Sequence, residues 1–400
     1  MRAVRTHGDK RAALAVAVGA CLLALAWTRA DAHDAATIID SRVHDATQKD
    51  ARTALLHRAE AELARGEATA AGESFERAAM LLHAPDTEMG QVRSYMQAGH
   101  YRRALAFCAH TAGVHREAPA AGALYAWLLR AGGQTAFAER TLNDTLARAP
   151  QDAVVLATRR AFAAALPLAA GPLLETPQRM APQAVMLGGQ SAPPEAARVV
   201  SSGVLIGDGR LALVPLAATR AAPGAQLWVR NGLGQTTRAR LDSAAAPALD
   251  PLGVALLRLD ATMDVAGLPP AAPREPFAGS PGFALQFAIS ATAAPAWPWL
   301  RQGFFGAAPA GRDAVRRLGI EIAEGSGGGP VFDAQGRLAG IALPGAADGG
   351  ALLLPAVRWQ GLLPEPDPAA APQPSAPGPA PADQVYESGL RLALQLIAMP

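Results

Sequence analysis

The sequence predicts a multidomain chain of α followed by all-β class: a helical repeat array over residues 51–168 and a β-barrel unit over residues 183–363. Three observations carry this. Gly66, Gly99 and Gly133 recur at spacings of 33 and 34 residues, in a stretch rich in alanine, leucine and arginine that lacks strand-like alternation. Beyond Gly171 glycine and proline become frequent, and the apolar runs shrink to strand length. With 400 residues, 50% of them apolar, the chain has material for two cores.

The first segment, residues 1–32, has the form of an export signal. Arg2, Arg5, Lys10 and Arg11 precede an uncharged apolar run from Ala12 to Trp27, and Ala30-Asp31-Ala32 is a small-x-small cleavage site. The run is short for a bilayer span, so cleavage, with no stable membrane insertion afterwards, is preferred over a retained anchor. Val18-Gly19-Ala20-Cys21 faintly resembles a lipoprotein box, but the residues after Cys21 stay apolar. Cleavage removes five basic and two acidic residues and turns a net charge of +2 into −1. The basic character therefore belongs to the signal, and a nucleic-acid partner is not expected. Only Cys108 remains, which excludes an internal disulfide and a cysteine metal site.

After a lead-in over residues 33–50, the array reads as three helical hairpins. Ala71, Ala104 and Ala138 each stand five residues after their glycine, and Pro85, Pro119 and Pro150 close the units. Each position has a physical job: glycine for the turn, alanine for close helix approach, proline to end the second helix. The period resembles that of tetratricopeptide repeats, and Gly99-His-Tyr-Arg-Arg-Ala104 resembles that family's turn most closely. Asp152 to Leu166 reads as a capping helix. The resemblance implies a concave groove for a protein or peptide partner, with Tyr95, His100 and Tyr101 as candidate binding residues. No two of His57, His83, His100, His110 and His115 lie one turn apart on a single helix, so no metal ligands are expected among them.

A linker over residues 169–182 leads to the β unit. Its predicted strands are Ala184–Leu187, Val199–Ile206, Leu211–Val214, Leu227–Val229, Val254–Leu259, Gly282–Phe287, Leu318–Ile322 and Ala351–Leu354. Many short strands without intervening helices indicate a barrel or sandwich. Four segments in order resemble trypsin-like serine proteases, most closely their bacterial envelope branch: the hairpin from Ser202, the strand Pro251–Asp260, the loop Gly325-Ser-Gly-Gly-Gly-Pro-Val-Phe, and Leu354-Pro-Ala-Val. That resemblance implies a double β-barrel.

It also places the catalytic histidine, aspartate and serine of the family on Ala217, Gly253 and Gly327. The last histidine of the chain is His115 and the last lysine Lys49, so the barrel holds neither imidazole nor ammonium. Acyl transfer needs a base beside its nucleophile. The sequence expectation is accordingly a degenerate domain that is not an enzyme. The alternative is a serine endopeptidase that uses Ser326 with a borrowed base. Gly325 and Gly327 are candidate binding residues, because this loop forms an anion pocket from backbone N–H groups in active relatives. Asp250 and Asp260 read as turn and strand-end residues. No cofactor and no metal are expected.

The tail begins with a proline- and alanine-rich spacer over residues 364–382. In residues 383–400, Asp383 is expected to cap a helical turn, and Leu390, Leu392, Leu394 and Leu396 alternate with Arg391, Ala393 and Gln395 as in a half-buried strand. Such a strand needs an edge to pair with, and docking on its own barrel is preferred. Together these readings point to an exported protein-binding scaffold. A structural envelope-assembly factor, whose barrel only supports the repeats, is the further alternative.

Overall fold

The computed structural model describes residues 35–164, 168, 170–220, 224–323, 326–345, 350–363 and 378–399. The predicted signal, and the spacer up to residue 377, lie outside the described residues. The chain divides into the units Met1–Asp50 and Ala51–Pro400. In the first, the described residues are helical from Ala35 onward, as the start of α1 (Ala35–Ala64). All that follows concerns the second.

The helical part continues with α2 (Ala68–Leu81), α3 (Pro85–Gln97), α4 (Tyr101–Val114), α5 (Pro119–Ala131), α6 (Thr135–Arg148) and α7 (Ala153–Ala164). Gly66, Gly99 and Gly133 sit in the turns α1–α2, α3–α4 and α5–α6 with φ of 83°, 79° and 84°, a region that L side chains rarely adopt. Ala71, Ala104 and Ala138 are fully buried where the paired helices meet. Pro85 and Pro119 begin α3 and α5 instead of ending the preceding helices. A first-turn proline gives up an N–H that has no helical partner anyway. At the array's end the Asp152 carboxylate accepts the Val154 and Val155 N–H groups at 3.0 Å and starts α7.

The β part holds β1 (Val185–Met186), β2 (Arg198–Ile206), β3 (Leu211–Pro215), β4 (Leu227–Asn231), β5 (Gln235–Leu241), β6 (Val254–Leu259), β7 (Pro281–Gln286), β8 (Trp299–Phe305), β9 (Arg316–Gly319), β10 (Pro330–Asp333), β11 (Leu338–Leu343) and β12 (Leu352–Pro355). Short helices α8 (Leu216–Arg220) and α9 (Ala246–Leu249) lie between β3 and β6. The chain ends in α10 (Ala382–Leu392) and β13 (Ala393–Ala398). Strands β7 to β12 close one antiparallel barrel in the order β10-β11-β12-β9-β8-β7. The other barrel runs β5-β4-β13-β2-β3-β6, closed by β5–β6 pairing, with β1 parallel to β5 outside the ring. Two closed six-stranded barrels after a helical region form a trypsin-like double barrel.

Strand β13 is therefore part of the barrel of β2 to β6, the first barrel in chain order. It pairs antiparallel with β2 from Ala393↔Val204 to Ala398↔Arg198, and with β4 from Leu394↔Asn231 to Ala398↔Leu227. Three features of the tail differ from expectation. Leu390 and Leu392 belong to α10, because Val385, Tyr386, Gly389, Leu390 and Leu392 form a helical apolar stripe that outlasts the local alternation. Asp383 lies in the first turn of α10, with Pro381 at the N-cap position. The strand is also buried on both faces. Its polar Gln395 is covered, with Nε2 donating to Ala294 O at 3.2 Å and Oε1 lying 3.4 Å from Arg230 Nη1.

The helical and β parts share one core, which runs from Met89 and Trp127 through Leu300 and Phe332 to Leu394. The edge of the array formed by the turn glycines faces the barrels. A Cβ at Gly66 would lie 2.8 Å from Val185 Cγ1, one at Gly99 would strike the Arg391 guanidinium, and one at Gly133 would lie 3.2 Å from Leu300 O. The repeating glycine thus serves both the turn and the docking of the array.

Candidate active-site region and helical surface

The positions that the resemblance assigns to the triad converge. Leu216, just before Ala217, donates its N–H to Gly253 O at 2.9 Å. Gly253 and Gly327 approach consecutive residues: a Cβ on the first would lie 3.7 Å from Leu343 Cδ1, and on the second 2.8 Å from Pro344 Cδ. Gly327 O accepts the Ser202 N–H at 2.9 Å and the Ser201 hydroxyl at 2.7 Å. A Cβ at Gly328 would strike Ser202 O, and that glycine has φ 104°. The loop is therefore clamped between β2 and the residue after β11, with no room for a side chain at Gly327.

Gly327, a candidate binding residue from the sequence, is buried within this clamp. Three neighbouring N–H groups are engaged internally: Ser326 N–H with Ala323 O at 2.9 Å, Gly328 N–H with Ala342 O at 2.6 Å, and Gly329 N–H with Gln286 Oε1 at 3.3 Å. These three donors are therefore committed within the fold. Ser326 is only 2% exposed. Gly325 lies outside the described residues. Asp250 faces Arg220 at 3.5 Å and Asp260 faces Arg240 at 3.2 Å, both as turn and strand-end ion pairs. An open cleft of about 360 Å³ beside α8 is lined by Leu216, Thr219, Arg220, Asp242 and Asp250 among others.

On the helices, Tyr101 is fully buried, which removes it from the binding candidates. Its hydroxyl donates to Leu128 O at 3.0 Å, and its ring meets Tyr386 of α10 at 4.4 Å between centroids. The tail covers the residue that the repeat pattern offered to a partner. Burial holds both phenols above the usual tyrosine range. Around this contact Glu387 accepts the Arg102 N–H at 2.8 Å, while Arg391 donates to Ala98 O at 2.8 Å and pairs with Asp264 at 3.0 Å. His100 is exposed and Tyr95 is half-buried. Tyr95 stacks edge-on with Phe107 at 6.0 Å under the Arg103 guanidinium, 4.2 Å from its ring. A second pair, Tyr125 and Phe137 at 6.2 Å, was not singled out in the sequence; Arg140 lies 5.4 Å from the Phe137 ring.

Two histidines that share no helical face are brought together by a tertiary contact. His83 and His115 come from different hairpins, yet their ring centroids are 5.1 Å apart, with Glu88 between them. Among the described residues no helix is long and apolar enough to cross a membrane.

No known protein family matches the chain, and no curated protein does. Similar solved structures include the serine endoprotease from Yersinia pestis, at 21% identity over 40% of this chain and 54% of that one, with a TM-score of 0.31. The HtrA-type protease AlgW with decapeptide matches at 19% identity over 41% of this chain and 50% of that one, with a TM-score of 0.32. The chain spans about half the length of each. Both are proteases by description, and this overturns the sequence expectation that the chain is not an enzyme.

Proposed function

We propose that the protein is exported to the bacterial-type cell envelope and binds a protein or peptide segment on its tetratricopeptide-like helices, which the trypsin-like double barrel holds rigid. The observation that supports this best is the pair of aromatic sets left open on an array whose other edge is docked. Phe137 is 42% exposed and Tyr95, Phe107 and Tyr125 are half-buried, each set flanked by an arginine. Aromatic faces with guanidinium neighbours suit segments that combine apolar and acidic side chains. A photo-crosslinking residue placed at 107 or 137 should capture one discrete protein, and Tyr125→Ala should abolish capture at 137. The same adduct from position 238, exposed on the barrel, would refute the proposal. Export is checked by the mature N-terminus, expected at His33 in the periplasmic fraction.

A second reading is a serine endopeptidase. It draws on the double-barrel fold and on Ser326, one residue from the nucleophile position. The barrel holds no histidine, so this reading requires a base from a partner or from the helical part. Fluorophosphonate labelling that disappears in Ser326→Ala supports it; labelling unchanged by that substitution, or no labelling, counts against it.

A further inference from the structure

Two loops between successive hairpins meet at the array edge opposite the turn glycines. His83 lies in the α2–α3 loop, Glu88 in the first turn of α3, and His115 at the end of α4. One ligand atom from each falls within 4.8 Å of the others. His83 Nε2 is 2.6 Å from Glu88 Oε1, and His115 Nε2 is 3.7 Å from the same oxygen.

The buried members are left with unmet bonding capacity. The Glu88 and His115 side chains are 4% and 10% exposed, while that of His83 is 59% exposed. Glu88 Oε2 and His115 Nε2 are buried and have no hydrogen-bond partner among the described residues. Buried polar atoms are ordinarily paired, so two such atoms aimed into one cluster call for an occupant. The other nitrogen of His115 is committed, with Nδ1 lying 3.1 Å from Glu117 Oε1. A carboxylate there keeps the proton on Nδ1 and leaves the Nε2 lone pair directed at Glu88, the arrangement that outer-shell carboxylates impose on metal-binding imidazoles.

We propose that His83, Glu88 and His115 form a three-ligand site for a divalent transition metal of the zinc class, with Glu117 as the positioning residue for His115. Two imidazoles and one carboxylate select against calcium and magnesium, which prefer oxygen donors throughout. Donors around a tetrahedral zinc ion stand about 3.4 Å apart. His115 is already near that spacing from Glu88, and the exposed His83 ring has freedom to swing outward. The fourth position opens to solvent on the His83 side. Bound metal ties the loop between the first two hairpins to the loop after the second, so the site braces the array along its free edge.

The test uses the whole chain from His33, without a polyhistidine tag and stripped with chelator, titrated with Zn²⁺ by calorimetry and with Co²⁺ by its visible spectrum. One equivalent should bind, with a tetrahedral cobalt spectrum. His83→Ala, on the exposed side, should weaken zinc affinity at least tenfold while preserving the fold, and Glu117→Gln should weaken it by about 10–100-fold. His57→Ala, at an exposed position on α1, should leave zinc affinity unchanged. Absence of stoichiometric binding to the unaltered chain, or equal affinity in His83→Ala, would overturn the assignment.

Discussion

Removing residues 382–400 deletes α10 and the strand between β2 and β4. Val385, Tyr386, Leu390, Leu392, Leu394, Leu396 and Ile397 are each at most 2% exposed. At roughly 1.5–3 kcal/mol per buried side chain, their loss removes on the order of 10–20 kcal/mol, an upper estimate. That matches or exceeds the ~5–15 kcal/mol by which a domain is ordinarily stable. The truncated chain should therefore fail to close its first barrel, bind a hydrophobic dye and lose near-ultraviolet dichroism. A synthetic peptide covering 382–399 should restore these signals in trans, because the slot it fills has a defined register on both sides. In that peptide Leu396→Ala should weaken complementation, since burial plus cavity terms for such a change amount to about 2–5 kcal/mol. Leu362→Ala in the full chain is the control, since Leu362 is 45% exposed and such positions usually change stability by less than about 0.5 kcal/mol. A truncated chain with undiminished melting would refute the idea that the tail is structural.

Ala104→Trp should lower stability by about 1–3 kcal/mol, because Ala104 is fully buried between paired helices; unaltered melting would place the helix contact elsewhere. Cys108 is buried and its thiol is pushed up by burial, so it should resist an aromatic disulfide reagent until the protein unfolds. Fast labelling of folded protein would contradict that. Tyr101 and Tyr386 are likewise held protonated by burial, with native pKa values above the unfolded value near 10. Their contribution to stability is complete below pH 10 and declines as pH rises further, as the unfolded chain ionises first. Tyr386→Phe should flatten that alkaline decline in equilibrium unfolding, and an unchanged slope would argue against burial as the cause.

Much of this architecture was legible because it follows from local backbone chemistry. The glycines at 66, 99 and 133 mark turns at positive φ, and the fully buried alanines after them mark close helix contacts. Strand β6 lies where its apolar run predicts, Val254–Leu259. Strand β5 was missed because Gln-Thr-Thr-Arg-Ala-Arg-Leu shows no apolar face; its Thr236 and Thr237 are buried as hydrogen-bonding residues, not as hydrophobes. Strand β8 was missed because Arg301, Gln302 and Gly303 interrupt its aromatic ends. In the tail, alternation gave the period of a strand for residues that a longer amphipathic stripe places in α10.

The functional positions were harder to read, since what decides them is which segments meet. Gly99-His-Tyr resembles a groove-lining turn, yet α10 packs there, puts Tyr386 on Tyr101 and sends Arg391 across to Ala98 O. Nothing local to residues 95–104 announces a partner nearly 290 positions away in the same chain. The histidines show the converse. Judged along single helices they have no common face, but successive hairpins stack their loops, and residues 32 positions apart become neighbours at 5.1 Å. That separation is close to one repeat, so a ligand pair spaced by the repeat period is a signal a sequence can carry, provided the period is applied to side chains as well as to glycines.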